Sequence, residues 1–441
     1  MCPWKSRSNA CKSNITWCLL RRQQCRLSYE QQHTILQYGV CQTTRTRRTV
    51  SCKILGSPVH TCFLAFSPDG ETVASSHKKF VQISEVKSGC CLHILRDHPR
   101  SVWCVVFHPS NPHLLASSCI GGVVNIWDLT KGDGKLIGAL SCQNVTALAL
   151  HPTHMVLLIA AGNQLLFWSW RQKEPFRMAE SASGYEKIRL VRFDSLGHHI
   201  LTGIRNYMSD DEEDEICSQV EENPLISQTV VHINMQNMET TVDDVTEEVI
   251  TESGTRCIPI SSRDMSLFRL QWWDFTHLEI PNLKQTNMHV VARNCLLSNN
   301  TSADISSDGR RLSALVMKLD STKLYKTKIC VFSLENCTFG DCLYSTTFES
   351  DIFSTCFSPL GTHIIVGMDD NTLQGDRTVA YIFKLCKKTN SQAEVTTLKV
   401  RTSDERQFSN LRASAVVWHP IIGYGLIAFG TSKGGVYFCH V

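Results

Sequence analysis

The stretch SVWCVVFHPSNPHLLASSCIGGVVNIWDL, residues 101–129, decides the fold. It contains an alternating apolar run, a turn with two prolines, a second apolar run, a Gly-Gly turn and a third run that ends in Trp127-Asp128. Apolar residues at every second position indicate strands, and the Pro, Asn and Gly between them indicate tight turns. The stretch therefore predicts three antiparallel strands in succession.

The same hairpin recurs six more times along the chain. The copies are TCFLAFSPDGETVASSH (61–77), VTALALHPTHMVLLIAAG (145–162), IRLVRFDSLGHHILTGI (188–204), SADISSDGRRLSALV (302–316), STCFSPLGTHIIVGM (354–368) and SAVVWHPIIGYGLIAFG (414–430). Phe66, Phe107, Leu150 and Phe193 hold equivalent places about 41–43 residues apart, which is the period of a four-stranded propeller blade. The repeats predict an all-β protein folded as a seven-bladed β-propeller.

The fourth hairpin, 188–204, has no third strand directly behind it. An acidic and polar stretch, 207–265, follows it, and RLQWWDF (269–275) then has the pattern of a third strand without its first two neighbours. A lone hairpin leaves backbone groups unpaired and an apolar face exposed, so it is marginally stable in water. Lengthening the connection to about sixty residues costs only roughly 2–3 kcal/mol of closure entropy. We therefore predict one blade cut in half, with 207–265 looped out as an acidic disordered insertion.

The two ends of the chain are predicted to complete one blade between them. GGVYFCH (434–440) has the pattern of a third strand with no fourth strand behind it, and TVSCKIL (49–55) has the pattern of the missing strand. With that strand in place no sheet edge is left open in the ring. The chain is predicted to have four parts. They are a basic, partly helical or disordered arm (1–48), a first propeller half with the closing strand, three blades and half of the fourth (49–206), the insertion (207–265), and a second half with the rest of blade four and blades five to seven (266–441).

The net charge of +3 conceals an uneven distribution. Residues 207–255 hold 14 acidic residues and no Lys or Arg, whereas 1–53 hold ten Lys or Arg and one acid. Such blocks are usually solvated and can serve as interaction tails. Ser209 precedes the acidic run 210–215 and is a candidate phosphorylation site for acid-directed kinases. The remaining Lys and Arg are scattered rather than clustered with aromatic residues, so nucleic acid is not expected as a partner.

No motif for chemistry is recognisable in the chain. The 21 cysteines form no C-x-x-C pair and no zinc-type cluster, and we interpret them as small buried side chains in a reducing compartment. Motifs for nucleotide binding, metal hydrolysis and serine hydrolysis are missing, which predicts no enzyme activity and no cofactor. His151 and His154 fall on a blade turn and are interpreted as structural. No apolar run of about 18 residues occurs, so no membrane span is predicted.

The chain resembles the Ambra-type autophagy regulators, a family of WD-repeat proteins. The resemblance is carried by 101–129, RLVRFDSLGHHILT (189–202), RLQWWDF, ADISSDGRRLSA (303–314) and GYGLIAFGTSKG (423–434). In that family the propeller is split by a long disordered insertion at this same blade. The resemblance covers about 54–206 and 266–441 and implies a WD-repeat propeller.

Typical WD-repeat blades are stiffened by a Ser/Thr-Asp-Trp-His network. The residues predicted to form the structural core of the blades here are Trp127, Asp128, Trp273, Asp274, His98 and Ser117. The network is incomplete, because Gly121 stands where an aspartate would help. We therefore expect weak polar networks between strands and a reliance on apolar packing.

Some WD-repeat receptors carry the motif W-D-x-R, whose arginine projects from one rim toward the large adaptor of cullin-4 ubiquitin ligases. Blade three reads Trp168-Ser169-Trp170-Arg171, with serine in place of the aspartate. An arginine can bind a carboxylate through two parallel hydrogen bonds, which lysine cannot do. Arg171, Trp168 and Trp170 are therefore the candidate adaptor contacts.

The resemblance implies a substrate receptor and scaffold of a cullin-4 RING ubiquitin ligase, with roles in promoting autophagy and in cyclin D degradation. The implied partners are the ligase's large propeller adaptor, of the damage-specific DNA-binding protein family, Beclin-type autophagy proteins, and cyclin D as substrate. The alternative is a ligase-independent scaffold that organises autophagy-initiation complexes. The expected location is the cytoplasm, with the nucleus and autophagosomes as further sites.

Overall fold

The chain forms a ring of antiparallel sheets in a computed structural model. The structure describes residues 49–51, 61–130, 132, 134–206, 266–297, 301–319, 325–348, 351–369, 377–385, 395–400, 413–431 and 435–440. The predicted N-terminal arm and the predicted acidic insertion, with Ser209, lie outside these residues.

The first three blades are four-stranded meanders, and the strands are numbered in chain order after β1 (Thr49–Ser51). Blade one holds β2 (Thr61–Phe66), β3 (Thr72–His77), β4 (Phe80–Glu85) and β5 (Cys91–Leu95). Blade two holds β6 (Val102–His108), β7 (Asn111–Cys119), β8 (Val123–Asp128) and β9 (Lys135–Ser141). Blade three holds β10 (Val145–Leu150), β11 (Leu157–Ala161), β12 (Gln164–Trp168) and β13 (Arg177–Glu180).

The next three blades also hold four strands each, and the pair Cys295↔Val316 joins blades four and five into one eight-stranded sheet. Blade four holds β14 (Ile188–Phe193), β15 (His199–Arg205), β16 (Phe268–Asp274) and β17 (Val290–Cys295). Blade five holds β18 (Ala303–Ile305), β19 (Arg311–Leu319), β20 (Tyr325–Ser333), a 3-10 turn at Asn336–Thr338 and β21 (Cys342–Thr347). Blade six holds β22 (Asp351–Phe357), β23 (His363–Asp369), β24 (Arg377–Lys384) and β25 (Val395–Val400).

The seventh blade is built from both ends of the described chain. It holds β26 (Ala413–Trp418), β27 (Leu426–Thr431) and β28 (Val436–His440), and β1 pairs antiparallel with β28 from Thr49↔Cys439 to Ser51↔Tyr437. Side chains of blades seven and one share an apolar cluster that includes Leu64 and Phe438. The ring is therefore sealed by backbone pairing and by side-chain packing.

Blade four is assembled across the predicted insertion. Strand β15, which precedes it, pairs with β16, which follows it, through seven residue pairs from His199↔Asp274 to Arg205↔Phe268. One more backbone hydrogen bond, from Asn206 N–H to the Leu267 carbonyl at 2.8 Å, extends the ladder toward the insertion. The seven-bladed propeller and its single split blade, both predicted from the sequence, are confirmed.

Each sheet is apolar on both faces because it packs between two neighbours. Strand β10, for example, is buried at all six positions. Within the described residues, seven apolar clusters lie between successive blades, one at every junction of the ring. Apolar burial is the main favourable term in folding, so these junctions rather than polar networks hold the blades in place.

Two His-Pro turns tie neighbouring blades together on one face of the ring. His151 donates from Nε2 to the Gly197 carbonyl of blade four at 3.1 Å, and His419 donates to the Gly70 carbonyl of blade one at 2.9 Å. A Cβ on Gly70 would lie 2.2 Å from the His419 ring, and one on Gly197 would lie 2.5 Å from the His151 ring. Both glycines also have positive φ, +72° and +76°, so the contact depends on glycine in each case.

A buried ion pair bridges the two halves of blade four. Arg269 Nη1, on β16, lies 2.7 Å from Glu186 Oε1, in the turn before β14, and each side chain is 3% exposed. Arg269 also donates to the Arg205 carbonyl at 3.2 Å and to Gln271 Oε1 at 3.1 Å. The guanidinium therefore contacts the chain on both sides of the insertion.

Removing one member of this pair should destabilise the propeller strongly. Glu186→Leu or Arg269→Met should lower the free energy of unfolding by about 3–5 kcal/mol, because each leaves a buried charge without its partner. The double variant should recover most of that loss, since it buries no charge. Urea denaturation of the full chain measures both effects.

The exposed pair Arg310–Glu335 is the matched control. Its atoms are 3.6 Å apart and the side chains are 68% and 46% exposed. Arg310→Met should change stability by less than about 1 kcal/mol. Equal losses at Arg269 and Arg310 would show that burial of the first pair has no energetic consequence.

The His-Pro turn at His151 makes the free energy of unfolding depend on pH. Burial and, to a lesser extent, nearby His154 lower the pKa of His151 from 6.5 to about 4. The Nδ1 atom accepts from the Thr153 and His154 backbone N–H groups. Between pH 6.5 and 4 the unfolded chain binds a proton that the folded chain does not. The contribution of His151 to the free energy of unfolding is therefore fully present above about pH 6.5. The free energy of unfolding should fall, by on the order of 3 kcal/mol, as pH drops to about 4.

Urea denaturation at about pH 7 and pH 5 tests this dependence. His151→Gln should narrow the stability difference between the two pH values, because the titrating group is gone. His113→Gln, which changes an exposed histidine, should leave the difference as it is in the unsubstituted chain. If the free energy of unfolding of His151→Gln differed between the two pH values as much as that of the unsubstituted chain, His151 would be ruled out as the cause of the pH dependence.

Candidate functional site

The third strands of blades two and four end in the same turn. Asp128 Oδ1 accepts from the backbone N–H of Thr130 at 2.9 Å and from its hydroxyl at 2.6 Å. Asp274 does the same with Thr276, at 2.8 and 2.6 Å. The Thr276 hydroxyl and then its N–H lower the pKa of Asp274. In the motif W-D-x-T, the aspartate thus caps the turn that follows it by accepting hydrogen bonds from the threonine.

These two aspartates depart from the prediction that they belong to the blade core. Asp274 is exposed and Asp128 is half-buried. The reason is their place at the last position of a strand, where the carboxylate leaves the sheet and caps the following turn. Trp127 and Trp273, one residue earlier, pack into the apolar clusters between blades one and two and between blades three and four, and are 2% and 4% exposed.

Blade three ends its third strand differently. Trp168 is fully buried, and its indole Nε1–H donates to the Gln172 carbonyl at 3.0 Å. The Gln172 N–H in turn donates to the Ser169 carbonyl at 2.8 Å. Ser169 replaces the aspartate of the other two blades, so the fourth residue of the motif, Arg171, is not drawn into an aspartate cap and is exposed.

Trp170 packs sideways onto blade two. A Cβ on Gly138, in the outermost strand of that blade, would lie 2.8 Å from the Trp170 Cβ and 3.1 Å from its carbonyl oxygen. Trp170 also contacts the apolar cluster between blades two and three. The turn that carries Arg171 is therefore held from beneath by Trp168 and from the side by Trp170.

The three predicted adaptor-contact residues thus lie in one turn but differ in solvent exposure. Arg171 is exposed, Trp170 is half-buried, and Trp168 is fully enclosed. A partner cannot touch Trp168, which acts by positioning the turn. Arg171, with the exposed face of Trp170, remains the part of the motif available to another protein.

A hydrogen-bonded triad stabilises blade two. His98 Nε2 lies 2.7 Å from Ser117 Oγ, and the Trp127 indole N–H donates to the same hydroxyl at 2.8 Å. Burial lowers the pKa of His98 to about 4. The serine and histidine have the spacing of a nucleophile and its base, yet both are buried and the hydroxyl already accepts from Trp127, so the triad is structural.

Blade four has a shorter version of this arrangement. The Trp273 indole N–H donates to Thr202 Oγ1 at 2.9 Å, and the histidine that packs against Trp273 is His289, with ring centroids 5.1 Å apart.

The described part of the chain holds no group of three His, Cys, Asp or Glu placed to bind a metal ion. Among the same residues, no helix has the length and apolar character to cross a bilayer.

Two exposed apolar residues that follow Arg171 in the chain were not predicted from the sequence. Phe176 and Met178, at the start of the outermost strand of blade three, are 43% and 49% exposed. Their alternate spacing places both on one face of the strand, which is the signal that could have identified them. The turn from Trp168 and the strand that follows it therefore combine positive charge with exposed apolar surface.

A WD40 family model, described as a WD domain or G-beta repeat, matches residues 89–128. Two zebrafish (Danio rerio) proteins, activating molecule in BECN1-regulated autophagy protein 1B and 1A, are 45% and 43% identical to the chain over 184 and 186 residues. These matches cover 41% and 42% of the chain, and 14% of each relative. The chain is a WD-repeat relative of these autophagy proteins. The resemblance to Ambra-type regulators stated from the sequence is confirmed.

Two further comparisons concern the repeat and the fold. A transcriptional corepressor of Arabidopsis thaliana, LEUNIG_HOMOLOG, is 34% identical over 107 residues, which is 24% of the chain and 13% of the relative. The crystal structure of the β-propeller domain of Cps50 (Swd1) from Myceliophteria thermophila superposes with a TM-score of 0.54 at 15% identity, covering 89% of the chain and all of that domain. At this identity the likeness shows the propeller fold alone.

The role of Trp168 in positioning the turn can be tested by removing its donor. Trp168→Phe should lower the free energy of unfolding by about 1–2 kcal/mol, because it leaves the Gln172 carbonyl without its indole donor. Hydrogen exchange should speed up at the Gln172 amide. The Thr130 amide, held by Asp128 in the equivalent turn of blade two, is the internal control. Equal acceleration at both amides would mean that the substitution loosens the whole propeller.

Proposed function

We propose that the chain is a non-catalytic scaffold that promotes autophagy and acts as a substrate receptor of a cullin-4 RING ubiquitin ligase, with cyclin D as a substrate. The observation that carries the autophagy role is the identity of 45% over 184 residues with a relative named for BECN1-regulated autophagy. The matched part is 14% of that relative, so the partners of the whole relative are proposed for this chain rather than transferred to it.

The rim turn of blade three supports attachment to the ligase. Its arginine is exposed, and the turn is braced by two tryptophans, so the guanidinium is presented from a rigid base. A positioned guanidinium loses little freedom on binding and can grip a carboxylate through two hydrogen bonds. Arg171 is accordingly proposed as the residue that contacts the large propeller adaptor, with Trp170 beside it and Trp168 supporting both.

A ligase-independent scaffold that organises autophagy-initiation complexes is the second candidate. The names of the two zebrafish relatives refer to autophagy and to BECN1, and they mention no ligase. In this case Beclin-type proteins would bind the propeller directly and no cullin adaptor would be attached. Both candidates share a ring that binds proteins.

A WD-repeat propeller is typically a scaffold without enzymatic activity, and function has to be argued from its sites. Two serine–histidine contacts have catalytic spacing, His98–Ser117 at 2.7 Å in blade two and Ser75–His77 at 2.8 Å in blade one, and the side chains of both are enclosed in their blades. We propose that the chain acts without catalysis or cofactor, in the cytoplasm and also in the nucleus and at autophagosomes.

Affinity purification with mass spectrometry tests the two candidates. The full chain should recover the cullin-4 adaptor together with Beclin-type proteins, and Arg171→Glu should reduce adaptor recovery at least fivefold, because it places a like charge against the proposed carboxylate. Lys87→Glu reverses an exposed charge at the equivalent turn of blade one and should leave recovery unchanged.

The set of recovered proteins distinguishes the ligase receptor from the ligase-independent scaffold. Recovery of autophagy proteins without the adaptor would overturn the ligase role and support the second candidate. Recovery of neither group would overturn both. Cyclin D should accumulate in cells that carry only Arg171→Glu if the ligase role holds.

A further inference from the structure

The first strand of a blade carries a β-bulge near its start in six of the blades. The register shifts lie between Thr61 and Leu64, Val102 and Cys104, Val145 and Ala147, Ile188 and Leu190, Ile352 and Ser354, and Ala413 and Ala415. A bulge re-aims the extra side chain. First strands of successive blades contact each other, for example β6 with β10 and β10 with β14, so they surround the central channel. The bulges therefore offer side chains to that channel.

The bulge residue of blade four, Arg189, reaches a blade that is not its neighbour. Its Nη1 donates to the Thr146 carbonyl of blade three at 3.4 Å, and its Cζ lies 5.2 Å from the ring centroid of Trp103 in blade two. Thr146 and Trp103 are the bulge residues of their own blades. The Arg189 side chain therefore follows the channel wall past the inner edge of blade three.

Trp103 lies between this guanidinium and blade one. Its ring meets the Phe63 ring at an angle of 66°, with centroids 5.6 Å apart, and the two side chains are 5% and 4% exposed. The Trp103 Nε1–H group is buried and has no hydrogen-bond partner among the described residues. A buried donor without an acceptor is costly, so an acceptor that reached this group would be bound favourably.

The environment of Arg189 disfavours its positive charge. Burial lowers the pKa of the guanidinium to about 10, so the group stays protonated at neutral pH but has lost part of its hydration. The side chain is half-buried rather than enclosed, and its accessible part faces the end of the channel. An anion placed beside it would offset the lost hydration and form charge-assisted hydrogen bonds.

This end of the channel lies on the face of the ring opposite Arg171. Strand direction alternates within a blade, so the connections after the first and third strands share one face and the remaining connections share the other. Trp103 and Arg189 are the second residues of first strands and belong to the second face. In the described connections of blades one to four on that face, the exposed acid is Asp97, and the exposed cations are Lys78, Lys79, Arg96, Arg100 and Lys187.

We propose that this channel mouth, formed by Phe63, Trp103 and Arg189, binds an anionic side chain, a carboxylate or a phosphate, in an acidic segment of a partner protein. Arg189 meets the anion, and the Trp103 Nε1–H group becomes a second donor when the guanidinium turns toward the ligand. The surrounding cations attract the rest of the segment and speed its association. The inference rests on the scaffold role proposed above and places the presented protein on the face opposite the adaptor.

A nucleic acid is the other polyanion that these cations could attract. Proteins that hold single strands stack the bases on accessible aromatic side chains, whereas Phe63 and Trp103 are enclosed. The channel mouth offers one charged donor and one neutral donor at a single point, which suits one anionic side chain better than a phosphate backbone. A protein segment is therefore the occupant that the geometry favours.

Fluorescence anisotropy on the full chain tests the proposal with three labelled peptides. They share a Ser- and Gly-rich sequence and differ at four central positions, which are Glu, phosphoserine or Gln. At least one anionic peptide should bind about tenfold more tightly than the Gln peptide, and its affinity should fall as salt rises. The tighter of the two anionic peptides identifies the preferred anion. Equal binding of all three peptides would overturn the proposal.

Variants locate the binding at the channel mouth. Arg189→Met should weaken the tighter peptide about tenfold, because the charged donor is lost. Trp103→Phe keeps an aromatic ring beneath Arg189 and removes the indole donor. It should weaken binding about threefold and abolish the change in tryptophan emission that the unlabelled peptide causes in the unsubstituted chain. The matched control, Arg177→Met, changes an exposed arginine on β13 and should bind as the unsubstituted chain does.

Thermal melting confirms that each variant is folded. If Arg189→Met does not fold, Lys78→Glu with Lys187→Glu, which changes two exposed residues on the same face, should weaken the peptide about fivefold. Unchanged affinity in the Arg189 variant or in this surface variant would overturn the proposal, and so would an equal loss in Arg177→Met.

The same assay tests two other occupants. Replacing the acids of 210–215 by their amides should leave peptide affinity unchanged, and a gain of about tenfold would identify this stretch of the chain as the occupant and overturn the proposal. Single-stranded DNA should bind about tenfold more weakly than the tighter peptide, and tighter binding of DNA would also overturn it. The assay needs neither the ligase adaptor nor Beclin-type proteins, so its failure is distinguishable from failure of the proposed function in cells.

Discussion

Backbone pairing between β15 and β16 is the interaction on which the ring depends. A hairpin that ended at Arg205 would leave its donors and acceptors open along a full strand and would expose the apolar face that packs on blade five. Seven residue pairs with the strand that returns at Phe268 remove both defects. The pairing brings the two ends of the insertion together, so a long excursion of the chain costs the propeller little, because closure entropy grows only with the logarithm of loop length.

The buried ion pair between Arg269 and Glu186 acts on the same strand pairing. Arg269 is the second residue of the returning strand, and it contacts Glu186, the Arg205 carbonyl and Gln271. A buried pair of this kind is weak evidence for stability, since desolvation offsets much of the attraction. The pair has a further consequence, because a strand in the wrong register would leave the guanidinium without Glu186 and without the Arg205 carbonyl. The pair therefore favours one register for the strand that closes the blade.

Among the described residues, buried polar contacts differ from blade to blade, whereas apolar clusters are present at every junction. A complete histidine–serine–tryptophan chain is found in blade two, and blade four keeps the tryptophan–threonine part of it. The expectation of weak polar networks and strong apolar packing came from the missing aspartate at Gly121 and agrees with this arrangement. The His-Pro turns supply a different kind of polar contact, from one blade to the next rather than within a blade.

What the sequence determined by itself was the ring and its interruption. Period-two apolar runs at a constant spacing specify strands and blades, and an acidic stretch between two halves of a repeat specifies a split, because these patterns are local. The tertiary structure decided which members of W-S-W-R are available to a partner. The amino-acid sequence of this motif does not reveal that Trp168 supports the turn from below or that Trp170 rests on Gly138 of another blade. Nor does it reveal that, of Trp168, Trp170 and Arg171, only the arginine is fully exposed. Exposure depends on what neighbouring blades bring to a residue, and residues far apart in the chain supply those neighbours.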